Sequence, residues 1–355
     1  MKLKRVLLLF THYRICEKIM GMIPELSKHY DIDLYLLGQM SLQRKWEGDI
    51  DLRKDFLDKY KKNISNVIIG DGVDYFRTRT NNVMSRINLN NYVGVIYDDN
   101  RYQANIEIDV IYKECKKLGI PMIGNAHGNQ WYDRDNWIAF EQSYNHMFVL
   151  GNKEKDYYSN FYPFNNIHAV GIPTNDTLKN KELNKNHILV IPNFLSNRES
   201  PFAVNFDSRW SNYITKLSKQ FNLPIKVKQK TRTDDPDWQK NVKFIESLFK
   251  DVDLQVVSDT EDIDTLISNS NIVISAYSTL AFKSIQMGIC TLLVRDSGAV
   301  GNFFDYPYTI DIDNPSSVYL ENWNLDTKWL SNTIEGGDEF NSSKIYVEKV
   351  KNIIK

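Results

Sequence analysis

The sequence predicts an α/β protein of two parallel-sheet domains, and three observations carry that expectation. Short apolar runs alternate with amphipathic segments from the first residues to about Val300, the pattern of stacked βαβ units. A polar stretch, GIPTNDTLKNKELNKN at Gly171 to Asn186, interrupts the alternation, and strand-like runs restart directly after it. The chain has 355 residues, 42% hydrophobic and 25% charged, which is enough for a sizeable core but long for one compact domain.

In the first half, strands are expected at Arg5 to Phe10, Ile32 to Leu37, Val67 to Ile69, Gly94 to Tyr97, Pro121 to Gly124, His146 to Leu150 and Ile167 to Val170. Glu17 to His29 and Ile106 to Leu118 carry the helical pattern between them. In the second half the strands are Ile188 to Ile191, Ile225 to Lys228, Leu254 to Val257, Ile272 to Ser275 and Thr291 to Val294. Trp210 to Gln220, Asp237 to Phe249 and Thr279 to Gly288 are the expected helices. The expected boundaries are therefore 1–171 for the first domain, 172–186 for the linker and 187–341 for the second domain. A terminal helix at 342–355 places Ile345, Val347, Val350 and Ile353 at helical spacing, a stripe to pack on one of the domains.

Composition narrows the partners. Lys plus Arg (44) nearly balance Asp plus Glu (45), so no global field steers the chain toward nucleic acid, and any anion site must be local. Cys16, Cys115 and Cys290 are far apart and odd in number, with neither zinc spacing nor a disulfide framework. A reducing, cytoplasmic location without a metal site is expected. The opening MKLKRVLLLFTHYR is too short for a signal peptide and lacks a cleavage site; a buried strand explains it. No run approaches the roughly 18 apolar residues of a membrane span, which leaves only transient, peripheral association with the inner membrane open. The chain contains no GxGxxG, GxxxxGK[ST] or GxSxG, against an ordinary dinucleotide enzyme, a P-loop phosphohydrolase or a nucleophile elbow.

The most informative segment is Asn271 to Val294, NIVISAYSTLAFKSIQMGICTLLV: a buried strand, a hydroxyl-rich turn, a helix, a Gly stop and another strand. Free amides at the helix start, with Ser275, Ser278 and Thr279 beside them, suit a phosphate at the carboxyl end of a strand. The competing role for Ser278 or Thr279 is a plain helix cap. A second anion candidate is IKVKQKTRTDDPDW, where alternation directs Lys226, Lys228, Lys230 and Arg232 to one face, opposite Val227. Lys230 and Arg232 fall near the strand's carboxyl end, where Arg offers a planar fork and Lys a point charge. Asp234, Asp235 and Asp237 fit a helix start better than a metal site.

For a general base, four residues qualify by position. His127, in NAHGNQWYDRDNW, follows a buried run, can take a proton from a hydroxyl at neutral pH, and is followed by Gly128. Asp98 and Asp99 end VGVIYDDN at another strand terminus, with only one of them expected to face a ligand. His12 follows the first strand and ranks after them, whereas His168 and His187 are expected to be structural.

The segment around Ser278 and Thr279 resembles the donor-binding turn and helix of GT-B glycosyltransferases. Gly171, Ile172 and Pro173, with Asp176 close behind, resemble the Gly-x-Pro element that ends the first domain in that clan, which includes sugar-nucleotide 2-epimerases. His127 and Gly128 resemble the His-Gly of its glycerophosphotransferases. The resemblance implies the GT-B architecture, two Rossmann-like domains with a ligand cleft between them. It also implies metal-independent transfer of a sugar from a nucleotide-activated donor to a cell-surface glycan or lipid-linked glycan acceptor, with no cofactor besides the nucleotide-sugar co-substrate. Lys228, Lys230, Arg232, Ser275, Ser278 and Thr279 would then serve the donor. Lys283 departs from the pattern, standing where such helices often carry Glu, and would meet a phosphate or sugar carboxylate if it is not simply a solvated lysine. A sugar-nucleotide 2-epimerase and a non-catalytic nucleotide-sugar-binding protein are the alternatives.

Overall fold

The computed structural model describes residues 3–11, 13–37, 57–70, 86–98, 106–126, 145–161, 166–192, 206–229, 236–258, 261–276, 278–295, 305–313, 315, 320 and 323–355, with backbone alone at 13–15, 106–107 and 161. Among them the chain divides into two compact units. The first takes the residues up to Thr177 and again from Ser331, and the second takes Leu178–Leu330.

The first unit is a seven-stranded parallel sheet. Its strands are β1 (Arg5–Phe10), β2 (Asp31–Leu36), β3 (Asn66–Ile69), β4 (Gly94–Tyr97), β5 (Met122–Asn125), β6 (His146–Val149) and β7 (Asn166–Ala169), in the order β3-β2-β1-β4-β5-β6-β7. The apolar run of β1 is continuous because both faces are covered, as parallel sheets require. Val6, Leu8 and Phe10 enter one core cluster, while Leu7 and Leu9 enter the other. Helices α1 (Tyr13–Met20), α2 (Ile23–Leu26), α3 (Ile106–Leu118) and α4 (Asn152–Phe161) lie along this part of the chain.

The helix expected over Glu17 to His29 is divided. α1 stops at Met20 and α2 begins at Ile23, which puts Pro24 in the first turn of α2, where its missing N–H is tolerated as it would not be inside one continuous helix. A Cβ on Gly21 would overlap the backbone of Pro173 and Thr174, and the Gly21 N–H donates to Thr174 Oγ1 at 3.2 Å. The Thr174 hydroxyl in turn donates to the Glu17 carbonyl. The break is written in the sequence at Pro24, and Gly21 lets a segment 153 residues away approach there.

In the second unit, β8 (His187–Ile191), β9 (Ile225–Lys228), β10 (Leu254–Val257), β11 (Ser270–Ser275), β12 (Cys290–Arg295) and β13 (Thr309–Asp311) form a six-stranded parallel sheet, ordered β10-β9-β8-β11-β12-β13. The helices are α5 (Ser208–Phe221), α6 (Trp238–Leu248), α7 (Ile263–Ser268), α8 (Thr279–Gln286) and α9 (Thr327–Thr333), whose last residues cross back into the first unit. β8 repeats the logic of β1: Ile188 and Val190 face one cluster, Leu189 and Ile191 the other.

The polar stretch between the sheets is partly ordered on the first unit. Pro173–Leu178 is a 3-10 helix, and Asp176 accepts the backbone N–H groups of Ser342 at 3.0 Å and Ser343 at 2.7 Å. Those amides open the terminal helix α10 (Ser342–Ile353), so Asp176 neutralises the orphan donors and the positive end of its dipole. Gly171 has φ +76°, and a Cβ there would overlap Glu335 O and Ser342 Oγ, so glycine is required on both counts. α10 packs on the first unit through Tyr346, Val347 and Val350, with Ile354 following. No helix among the described residues is long and apolar enough to cross a membrane.

Candidate functional site

In each sheet the chain leaves the first strand toward one side and later returns on its other side. The carboxyl ends of the two strands flanking that reversal are where open α/β sheets take ligands. In the second unit these strands are β8 and β11.

β11 ends at Ser275, which is fully buried, and its hydroxyl donates to Ala276 O at 2.7 Å. Ser278 has extended backbone, φ −154°, and is the N-cap of α8, its Oγ accepting from Leu280 N–H at 3.3 Å. Thr279 is the first helical residue. The cap is a long hydrogen bond, and one hydroxyl cannot satisfy all the amides that open a helix. Ala281, Phe282, Ser284 and Ile285 are buried, fixing the helix on the sheet, and Thr291 Oγ1 on β12 donates to Ser284 Oγ at 2.8 Å. Lys283, expected to meet a phosphate or a sugar carboxylate, is engaged by a carboxylate of the protein itself. Its Nζ lies 2.7 Å from Asp264 Oδ1 on α7, and its side chain is 11% exposed.

Along β9 the expected alternation is present, with Ile225 and Val227 buried and Lys226 and Lys228 half-buried. Lys228 donates to Ser258 O, just beyond β10, at 2.6 Å. The next residue, Gln229, continues the Ile225 and Val227 face. It is 2% exposed, and neither its amide oxygen nor its amide nitrogen has a hydrogen-bond partner among the described residues. Lys230 and Arg232 lie outside the described residues.

In the first unit the reversal lies between β1 and β4. Thr11 follows β1, Asp98 follows β4, and both are buried. The Thr11 N–H donates to Asp98 Oδ2 at 2.8 Å and its hydroxyl to Asp98 Oδ1 at 2.9 Å. Beside them, Asn125 at the end of β5 donates to Tyr97 O at 2.7 Å and accepts from the Tyr346 hydroxyl of α10 at 3.0 Å. Lys18 donates to Ala126 O at 2.8 Å. Burial, then the charge of Asp98, pushes the Cys16 thiol well above its ordinary value, so it is no nucleophile. His12, Asp99 and His127 lie outside the described residues.

The two histidines expected to be structural are both neutral by environment. His168 is lowered to about 4, first by burial and then by His146, whose ring stacks on it with centroids 5.6 Å apart. Burial, followed by the charge of Lys226, lowers His187 to about 4. Asn125 and Gln229 are not among the residues that the sequence singles out. Asn125 carries no signal in its sequence neighbourhood. Gln229 does, because it puts an amide at the next position of an alternating apolar face.

No family model and no curated protein matches the chain. Solved structures do match it along nearly its whole length. The UDP-GlcNAc 2-epimerase from Methanocaldococcus jannaschii shares 14% identity, with 99% of this chain and 100% of that one covered at a TM-score of 0.65. The enzyme of the same name from Neisseria meningitidis, bound to UDP-GlcNAc, gives 13%, 98%, 100% and 0.62 in the same terms. A glycosyltransferase from Rickettsia africae ESF-5 shares 13% identity and covers 100% of this chain and 98% of its own at a TM-score of 0.61. At these identities the likeness is one of fold. Two parallel sheets of seven and six strands, each with its reversal beside the first strand, give this chain the GT-B fold.

Proposed function

We propose that the chain is a sugar-nucleotide enzyme, and that its reaction is transfer of a sugar from a nucleotide-activated donor to a glycan acceptor. The observation that carries the proposal is the carboxyl edge of the second unit's sheet, where α8 begins beside the β8/β11 reversal with its amides backed by one long Ser278 cap. Backbone amides and the helix dipole there suit the diphosphate of the donor. Gln229, buried at the end of β9 with an unpartnered amide, supplies a donor and an acceptor for the nucleotide. In this scheme Lys230 and Arg232, which follow β9 in sequence, offset the charge that develops on the departing diphosphate. His127 takes the acceptor hydroxyl's proton as that oxygen bonds the anomeric carbon and the bond from that carbon to the phosphate oxygen breaks. Asp98, with both oxygens on Thr11, positions the first loop instead.

A second scheme, 2-epimerisation of the sugar nucleotide, is favoured by the names of two of the structural matches. Calorimetric titration of the full chain with UDP-, GDP- and CMP-linked sugars tests the shared part. One donor class should bind and its nucleotide should compete. Product analysis with and without a glycan acceptor then separates the two reactions, since an epimerase converts the donor alone. Binding by no member of the panel would remove both.

A further inference from the structure

The strands of the first sheet all run parallel, so every turn that leads into one of them lies at the same, amino-terminal edge. The turns into β1, β2, β3 and β5 contain Leu3-Lys4, Lys28-His29, Lys61-Lys62 and Lys116-Lys117-Leu118. The turn into β4, Asn88 to Val93, is uncharged, and those into β6 and β7 lie mostly outside the described residues. The length of β1, about 16 Å at the rise of an extended strand, separates this edge from Thr11 and Asp98.

Local ion pairs neutralise part of this charge. Glu25 pairs with Lys28, and Glu114 with Lys117 at 2.8 Å. The end of α10 also reaches the edge, where the Tyr30 hydroxyl donates to Ile354 O at 3.2 Å, and its Glu348 and Lys351 pair at 2.7 Å. Lys4, Lys61, Lys62 and Lys116 are exposed and have no ion-pair partner among the described residues. Asp31, which opens β2, is half-buried and offsets one of the four. The second sheet has no such excess: its corresponding turns carry Lys185 and Lys250 against Asp251 and Asp253. The basic edge is thus a local feature of a chain whose net charge is −1.

Two leucines decide what the charge meets. Leu3 is 43% exposed beside Lys4, and Leu118 is 39% exposed two residues after Lys116. The phosphates of a nucleic acid need only the lysines and give an exposed aliphatic side chain nothing. Among the described residues, the large apolar side chains exposed on the first unit include no aromatic ring on which a base could stack. A bilayer takes both kinds of group, since anionic headgroups attract the ammonium groups and the acyl boundary beneath receives the leucines.

We propose that the amino-terminal edge of the first sheet is a docking surface for a membrane of anionic phospholipid, with Lys4, Lys61, Lys62 and Lys116 at the headgroups and Leu3 and Leu118 inserted beneath them. The attachment is peripheral and reversible, because a few lysines and two leucines hold far less firmly than an inserted helix. A chain docked this way keeps the edge that carries Thr11 and Asp98 away from the lipid.

Co-sedimentation of the full chain with vesicles tests it, using phosphatidylcholine alone and phosphatidylcholine with phosphatidylglycerol at about two to one. The chain should bind the anionic vesicles and not the neutral ones, and added salt should weaken the binding. Lys61→Gln with Lys62→Gln should lower the partition coefficient on the order of 25-fold, about fivefold for each lysine. Leu118→Gln, which leaves the charge unchanged, should lower it roughly fivefold. All three positions are exposed, so these variants should keep the fold, as circular dichroism reads it. Binding to neither vesicle, equal binding to both, unchanged partition in either variant, or tighter binding to a DNA duplex would each overturn the surface. No nucleotide sugar enters these measurements, so the docking surface and the transfer reaction fail separately.

Discussion

Asp98 holds Thr11 across 87 residues of sequence, taking its backbone N–H at 2.8 Å and its hydroxyl at 2.9 Å. Both residues are buried, so the pair ties the loop after β1 to the end of β4 at the sheet's reversal. Asp98→Ala would leave two buried donors of Thr11 without this acceptor. We expect a loss of about 2–4 kcal/mol in stability, since a hydrogen bond to a charged group contributes about 1.5–3 kcal/mol. Urea denaturation reads it directly. Full stability with abolished turnover would instead make Asp98 a catalytic base.

Gln229 offers a contrast between stability and binding. A buried amide without partners costs about 1–3 kcal/mol, so Gln229→Met should leave the free protein as stable or more stable, by about 1 kcal/mol. The same change should weaken nucleotide affinity, because the ligand would no longer find the amide. Thermal denaturation with and without nucleotide checks both halves at once. Equal nucleotide affinity in the two proteins would reduce Gln229 to a packing residue.

Acid should unfold the chain partly through His168 and His187. Both are held down to about 4 in the fold, against an ordinary value near 6.5. At pH 7.5 they are neutral folded and unfolded, and contribute nothing to the pH dependence. As pH falls through 6.5 the unfolded chain binds protons that the fold refuses, so stability drops, and the loss levels off below about 4. The upper figure is about 2 kcal/mol for each ring at pH 5. Between pH 7.5 and 5 the denaturation midpoint of the parent should fall more steeply than that of His187→Gln. Parallel curves would show that His187 takes no part.

His127→Asn should cut turnover by about 100- to 10,000-fold while leaving donor affinity unchanged, as expected for a positioned base. Steady-state kinetics and calorimetry on the same preparation supply the two readings. A variant that transfers at the parent rate would move the assignment to Asp99. Loss of folding together with donor binding would make His127 a turn residue.

The sequence by itself determined twelve of the strands and the longer helices, but not α4, α7, α9 or β13. Continuous apolar runs placed β1 and β8 because a strand covered on both faces needs no polar alternation, and helical spacing placed α3 at Ile106–Leu118. The hydroxyl-rich turn before α8 and the basic alternation of β9 were also legible, since both are written in consecutive residues. Tertiary structure alone decided which groups spend their hydrogen bonds on one another. Asp98 is taken by Thr11 and Lys283 by Asp264, and Gly21 is pressed by Pro173 and Thr174. α10 returns to the first unit because Asp176 caps it and Tyr346, Val347 and Val350 complete a core there. The physical reason is common to all of these. Periodicity records how a side chain sits on its own element, whereas a hydrogen-bond partner or a steric limit comes from whichever distant segment the topology brings alongside.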